Sequence, residues 1–177
     1  MAKLYVIRHG QTPWNVQNRV CGRADVPLDE TGMAQARAAA AQLRGVHLDR
    51  VIASPLTRAR QTALLLLETA GIDLPIDIDA RIAEQDFGAF DGASRTEPSF
   101  RAQRRQAPLR PSGGESAFDL VHRVYSLLDE LRDARQDVLL VCHGAVSRAI
   151  RSYFVSMTND EFFDYLAGNC ELVAYEL

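Results

Sequence analysis

The chain reads as one α/β domain, a three-layer α/β/α sandwich around a mostly parallel central sheet. Three observations predict it. Short apolar, partly β-branched runs recur at 4–7, 51–53 and 138–141 without polar alternation, as strands covered on both faces require. Stretches of helical period separate them, at 31–43, 57–70 and 116–132. The length of 177 residues, with 47% hydrophobic and 24% charged residues, suits a single domain with one continuous core.

The elements follow in order. The first strand, 4–7, runs straight into Arg8, His9, Gly10 and Gln11. The next helix places Met33, Ala36, Ala40 and Leu43 on one face, with Thr31 expected as its cap and Gly45 marking its end. The second strand, 51–53, leads through Ser54 and Pro55 into a helix over 57–70 that Gly71 closes. Pro75 fits a short edge strand at 75–78. From 81 to 114 both periods fade among Gly88, Gly92, Pro98, Pro108, Pro111, Gly113 and Gly114, which predicts a long excursion over the active edge with a short basic helix near 98–105. Helix returns at 116–132, with Leu120, Val124, Leu127, Leu128 and Leu131 as its stripe and Ser116 and Asp119 as a capping box. Strand, turn and helix occupy 138–154, and a last strand at 171–175 joins the same sheet.

Composition narrows the function. The net charge of −3 argues against general nucleic-acid binding, and of twenty cationic residues only Lys3 is a lysine, which leaves no lysine for a Walker motif or Schiff base. Cys21, Cys142 and Cys170 are widely spaced without a C-x-x-C pair, so neither a zinc site nor a disulfide framework is expected, and a reducing compartment is. Neither a secretory leader nor an apolar run long enough for a bilayer is recognisable; the expectation is a cytoplasmic protein without membrane partners. Oligomeric state has no signature.

Parallel strands of such folds deliver their carboxyl ends to the ligand crevice. Arg8 brings a planar fork of donors suited to phosphate, and His9 a nitrogen that can act as nucleophile near neutral pH. Gly10 would let backbone approach a ligand closely. The second strand delivers Arg58 in the first helical turn, where free N–H groups favour anions, and the fourth delivers His143 beside Gly144. Two histidines and two arginines therefore reach one edge from three strands. His47 and His122 lie away from it, and Trp14 is expected to pack.

The segments RHGQTPWN, CGRADVPLDETG, SPLTRARQTA, AEQDFGAFDG, PSGGES and CHGAVSRA, in this order over 4 to about 150, resemble the histidine phosphatase superfamily, also called phosphoglycerate mutase-like. The resemblance implies that His9 becomes a transient phosphohistidine, with Arg8 and Arg58 binding phosphoryl oxygens and keeping the imidazole neutral. His143 would donate to a phosphoryl oxygen, with Asn15 and the backbone at Gly144 as lesser donors. Glu84 stands where the family carries its general acid, with Phe87 and Phe90 near to shield it from water, and Asp86 is the substitute. Gln11, Thr12, Cys21 and Gly22 would line the mouth. The substrate would be a small phosphomonoester, with no cofactor and no metal, since arginines supply the charge; turnover would be insensitive to chelators. The GRADVPLDETG and PSGGES segments look most like the small bacterial branch containing α-ribazole phosphatases, and an excursion and carboxyl-terminal segment that are modest beside those of the longer mutases favour hydrolysis over transfer.

Competing readings are a mutase, a non-catalytic phospho-ligand module, and a cysteine-dependent phosphatase using Cys142 and Arg148, which satisfy C-x5-R but lack that loop's further glycines and its hydroxyl residue. A dinucleotide site would need a G-x-G-x-x-G after the first strand, which is not there. The basic stretch of Arg95, Arg101, Arg104, Arg105 and Arg110 is expected to be a solvated face from which one or two residues recognise a second anionic group.

Overall fold

The computed structural model describes residues 2–177. Five strands form one sheet in the order β3-β2-β4-β1-β5: β1 (Lys3–Arg8), β2 (Arg50–Ala53), β3 (Ile76–Ile78), β4 (Val138–Cys142) and β5 (Leu172–Glu176). All neighbours are parallel except β5, which runs antiparallel to β1 at one edge. Helices α2 (Glu30–Ala39) and α3 (Thr57–Ala70) cover one face, and α5 (Ala117–Ala134) and α6 (Gly144–Phe154) the other.

The apolar strand runs follow from this double cover. In β1, Leu4 and Val6 pack toward the α5/α6 side while Tyr5 and Ile7 pack toward α2/α3, and Leu140 and Val141 of β4 divide in the same way. Strands at the centre therefore cannot alternate apolar with polar. Leu120, Val124, Leu127, Leu128 and Leu131, the predicted stripe of α5, are fully buried. Each such leucine contributes on the order of 2 kcal/mol of burial.

Helix ends refine the expected boundaries. Asp29, not Thr31, caps α2: its carboxylate accepts from the Gly32 N–H at 2.7 Å, so Thr31 lies inside the first turn. The Ser116 and Asp119 capping box of α5 forms as expected, and Gly71 closes α3 in the left-handed conformation at φ 68°. The 81–114 excursion carries α4 (Pro98–Arg104) and short 3-10 turns. Two short helices lie outside the expectation, α1 (Pro13–Val16) and α7 (Asn159–Asp164). No helix among the described residues is long and apolar enough to cross a membrane.

Candidate active site

Parallel register sets the site. Ala53, Val141 and Ile7 lie side by side in β2, β4 and β1, so the residues just beyond, Ser54 on one strand, Cys142 and His143 on the next, Arg8 and His9 on the third, emerge together. Two backbone bonds continue the ladder past the strands, Ser54 N–H to the Val141 carbonyl and His9 N–H to the Cys142 carbonyl, both at 3.0 Å. The imidazoles of His9 and His143 stand 5.1 Å apart between centroids.

The protonation of His9 follows from its contacts. Its Nδ1 lies 2.7 Å from the Gly10 carbonyl, which can only accept, so Nδ1 carries the hydrogen and Nε2 keeps a lone pair. Burial, then the charges of Arg58 and Arg8, hold its pKa well below the usual 6.5. His143 is also held neutral, by burial first and Arg58 second. Its Nδ1 accepts from Arg58 Nε at 3.3 Å, so its Nε2–H donates to Ser54 Oγ at 2.6 Å.

Arg58 is fully buried, and its charge is met by carbonyls: Nη1 donates to Ala24 and Nη2 to Gly22, each at 2.8 Å. Those carbonyls are held in turn by Asp91, whose carboxylate accepts from the N–H groups of Gly22 and Ala24 at 2.9 and 2.8 Å. Gly22 must be glycine, because a Cβ would collide with that carboxylate.

A cavity of about 230 Å³ opens above this edge, lined by Arg8, His9, Asn15, Cys21, Glu84 and Gly144 together with side chains of the excursion and of α7. Arg8 donates through Nη1 to the Ala167 carbonyl at 2.8 Å, while its buried Nε has no partner. A Cβ at Gly144 would lie 3.8 Å from both Arg8 Nε and Glu84 Oε2, so these two groups flank the start of α6. The N-cap residue His143 makes no capping bond with its own side chain, and the positive end of α6 meets the Glu84 carboxylate instead. The Glu84 carboxylate accepts from the N–H groups of Gln85 (2.9 Å) and Ala145 (3.2 Å). Asn15 closes a capping box with Thr12, whose N–H takes Asn15 Oδ1 and leaves Nδ2 as the end free to donate.

Several expected residues face elsewhere. Gln11 donates to the Asp29 carboxylate at 3.1 Å and Thr12 is a buried helix cap, so neither lines the mouth; Gly22 takes part through its backbone contacts with Arg58 and Asp91. Gly10 lacks a side chain because the Gly32 backbone occupies that space, rather than to admit a ligand. Of the flanking aromatics, Phe87 lines the cavity, whereas Phe90 packs on Phe100. The thiol of Cys142 is fully buried and its pKa is raised by desolvation, which removes it as a nucleophile.

Sequence reading missed the residues that hold the others. Thr62 accepts from the Gly10 N–H at 3.1 Å and donates to the Arg58 carbonyl at 2.7 Å. Glu115 and Arg123 form a half-buried pair, and Arg123 also donates to the carbonyls of Arg81 and Glu84, which anchors the segment carrying Glu84 on α5. The SPLTR, AFDG and PSGGES segments contain Ser54, Asp91 and Glu115, so the signal lay in motifs whose partners are distant in sequence.

The family described as histidine phosphatase superfamily (branch 1) matches residues 4–177. A 2,3-bisphosphoglycerate-dependent phosphoglycerate mutase 2 of Gloeobacter violaceus is 34% identical, over 99% of this chain and 86% of that protein. Among solved structures, a mycobacterial glucosyl-3-phosphoglycerate phosphatase complexed with VO3 superposes with a TM-score of 0.85 at 30% identity, covering 98% of this chain and 92% of its own. The α-ribazole phosphatase of Shigella flexneri gives 0.85 at 26% identity, covering 99% and 90%.

Proposed function

The chain belongs to the histidine phosphatase superfamily, and on that premise we propose that it hydrolyses a small phosphomonoester through a phosphohistidine on His9. The observation that carries this reading is the His9 imidazole, neutral and with its Nε2 lone pair free because Nδ1–H is tied to Gly10.

In the first half-reaction Nε2 attacks phosphorus in line, the N–P bond forms and the P–O ester bond breaks. The Gly10 carbonyl stabilises the positive charge that develops on the ring. Arg8, through its unpartnered Nε, and Asn15, through Nδ2, are the donors for the phosphoryl oxygens. His143 donates its Nε2–H to a third oxygen, which as a charged acceptor displaces the Ser54 hydroxyl. Arg58, expected to bind phosphoryl oxygens, has its nitrogens taken by His143 and by the carbonyls of Ala24 and Gly22, so it acts on both rings by its charge instead. Glu84 gives its proton to the leaving alkoxide, then takes one from the water that attacks phosphorus and breaks the N–P bond. Arginines supply the charge that offsets the phosphoryl oxygens.

Transfer to a second hydroxyl shares the first half-reaction, and the mutase relative at 34% identity keeps it as the alternative. Support for hydrolysis is the likeness to two phosphatases along nine-tenths of their length. A panel of phosphomonoesters, including 3-phosphoglycerate with and without 2,3-bisphosphoglycerate, assayed for free phosphate and for isomerised product, tests the choice. Free phosphate as the main product is expected; isomer forming faster than phosphate would replace hydrolysis with transfer.

A further inference from the structure

Gln11 stands two positions after His9, yet it turns away from the cavity and is fastened to the start of α2. Its side-chain amide donates to the Asp29 carboxylate at 3.1 Å, its carbonyl accepts from the Asp29 N–H at 3.1 Å, and its own N–H donates to Gln35 Oε1 at 2.8 Å. Gly32 lets the two backbones come this close, because a Cβ there would collide with the Gln11 carbonyl. Gln35 lies three residues further along the same helix face, which brings its amide to Gln11.

The Gln11 N–H and the Gly10 carbonyl belong to one peptide unit, planar and trans, so they point in opposite directions. Gln35 therefore holds the donor end of the unit whose acceptor end takes the Nδ1–H of His9 at 2.7 Å. The backbone on both sides is pinned independently. The His9 carbonyl accepts from Asn169 Nδ2 at 2.6 Å, the Gly10 N–H donates to Thr62 Oγ1 at 3.1 Å, and the Gln11 carbonyl is held by Asp29. With its neighbours fixed, the unit between them is left free to turn about its own long axis, a motion that a glycine at its start tolerates. A turned unit would present an N–H to His9 Nδ1 in place of a carbonyl. Nδ1 would then accept, the hydrogen would move to Nε2, and the lone pair needed for attack would be gone.

We infer that Gln35 is a positioning residue for phosphoryl transfer: by accepting from the Gln11 N–H it keeps the Gly10 carbonyl on His9 Nδ1 and so keeps the lone pair on Nε2. This rests on the reading of His9 Nε2 as the phosphoryl acceptor. The same bond acts during the step itself. A peptide whose N–H is already engaged is polarised toward its oxygen, so the Gly10 carbonyl is a stronger acceptor as the N–P bond forms and the ring turns cationic. Gln35 is half-buried and does not line the cavity, so it acts through the backbone alone.

Gln35→Met removes the acceptor at nearly unchanged length, and Gln35→Glu keeps an acceptor oxygen in its place. The tautomer of His9 is read near neutral pH from long-range nitrogen–proton correlation spectra, its signals identified by their loss in His9→Asn; kcat and KM are measured on p-nitrophenyl phosphate. The unaltered protein is expected to carry the hydrogen on Nδ1 alone. Gln35→Met should show both tautomers and lose about tenfold or more in kcat with KM altered less than about threefold, while Gln35→Glu keeps the single tautomer and most of the activity. A merely structural role would lower the unfolding midpoint of both variants and leave the hydrogen on Nδ1. Gln35→Met with its hydrogen on Nδ1 alone, whatever its rate, would overturn the inference, as would the same mixture of tautomers in Gln35→Glu. A changed tautomer with phosphate release undiminished would keep the hold of Gln35 on His9 and sink instead the reading of Nε2 as the acceptor.

Discussion

The cavity has a floor of strand ends and a roof made by the 81–114 excursion with α7, and the two hold their charges differently. On the floor, Arg58 and His9 are fixed by carbonyls of residues 10, 22 and 24, themselves locked by Thr62, Asp91 and the packing of Gly10 on Gly32. On the roof, Arg104 rests on the lone Phe163 carbonyl, and Arg105 reaches Asp160 and Asp164, whose side chains are 86% and 66% exposed. Exposed pairs of this kind contribute little and weaken with salt. Backbone-held charge suits a step common to every substrate, whereas solvent-exposed pairs let a roof adapt to one. The proposed chemistry then uses the floor, and the roof is where substrates would be told apart.

Glu84 crosses this division and supplies the largest expected effect. It lies in the excursion, yet the Ala145 N–H and Arg123 bind it to the floor. Glu84→Gln should lower kcat on an alkyl phosphate by about 10²–10³-fold, and by less than tenfold on p-nitrophenyl phosphate, whose leaving group needs no proton. An equal loss on both substrates would place Glu84 among the residues that shape the roof.

A smaller effect concerns pH. The pKa values of His9 and His143 are lowered in the folded protein by burial and by the neighbouring arginines. The unfolded chain takes up protons at these sites near pH 6.5 while the folded one does not, so stability is complete above that pH and declines as pH falls below it. The urea midpoint should drop between pH 7 and pH 5, and His9→Asn should flatten the slope. A midpoint that does not move on acidification would mean that the floor histidines are not held neutral.

What could be read from the sequence follows the same line. The floor was legible because buried strands have no polar alternation and because whatever follows a parallel strand reaches one edge: Arg8, His9 and His143 needed no more than that. Glu84 was reached through its motif alone, since a carboxylate between glycines has no period to betray it. Ser54, Thr62 and Asp91 were missed because their partners lie 89, 52 and 69 positions away. Gln11 and Thr12 were misplaced because adjacency to His9 says nothing about direction, and both turn toward helix caps. The helices α1 and α7 are too short for periodicity, although Thr12 before Pro13 and the pair Thr158 and Glu161 mark their starts. Arg148 was weighed only as part of a cysteine loop, and its contact with α4 and α7 comes from tertiary packing.

In the proposed reaction the floor makes His9 Nε2 the acceptor of the phosphoryl group. Rapid acid-free quenching during turnover, followed by peptide mass spectrometry under alkaline conditions, tests it most directly. The expected result is an added phosphoryl group on the peptide containing His9, at the Nε2 position, absent from His9→Asn and discharged when turnover ends. Turnover at an undiminished rate in His9→Asn, or a phosphoryl group trapped on another side chain, would contradict it.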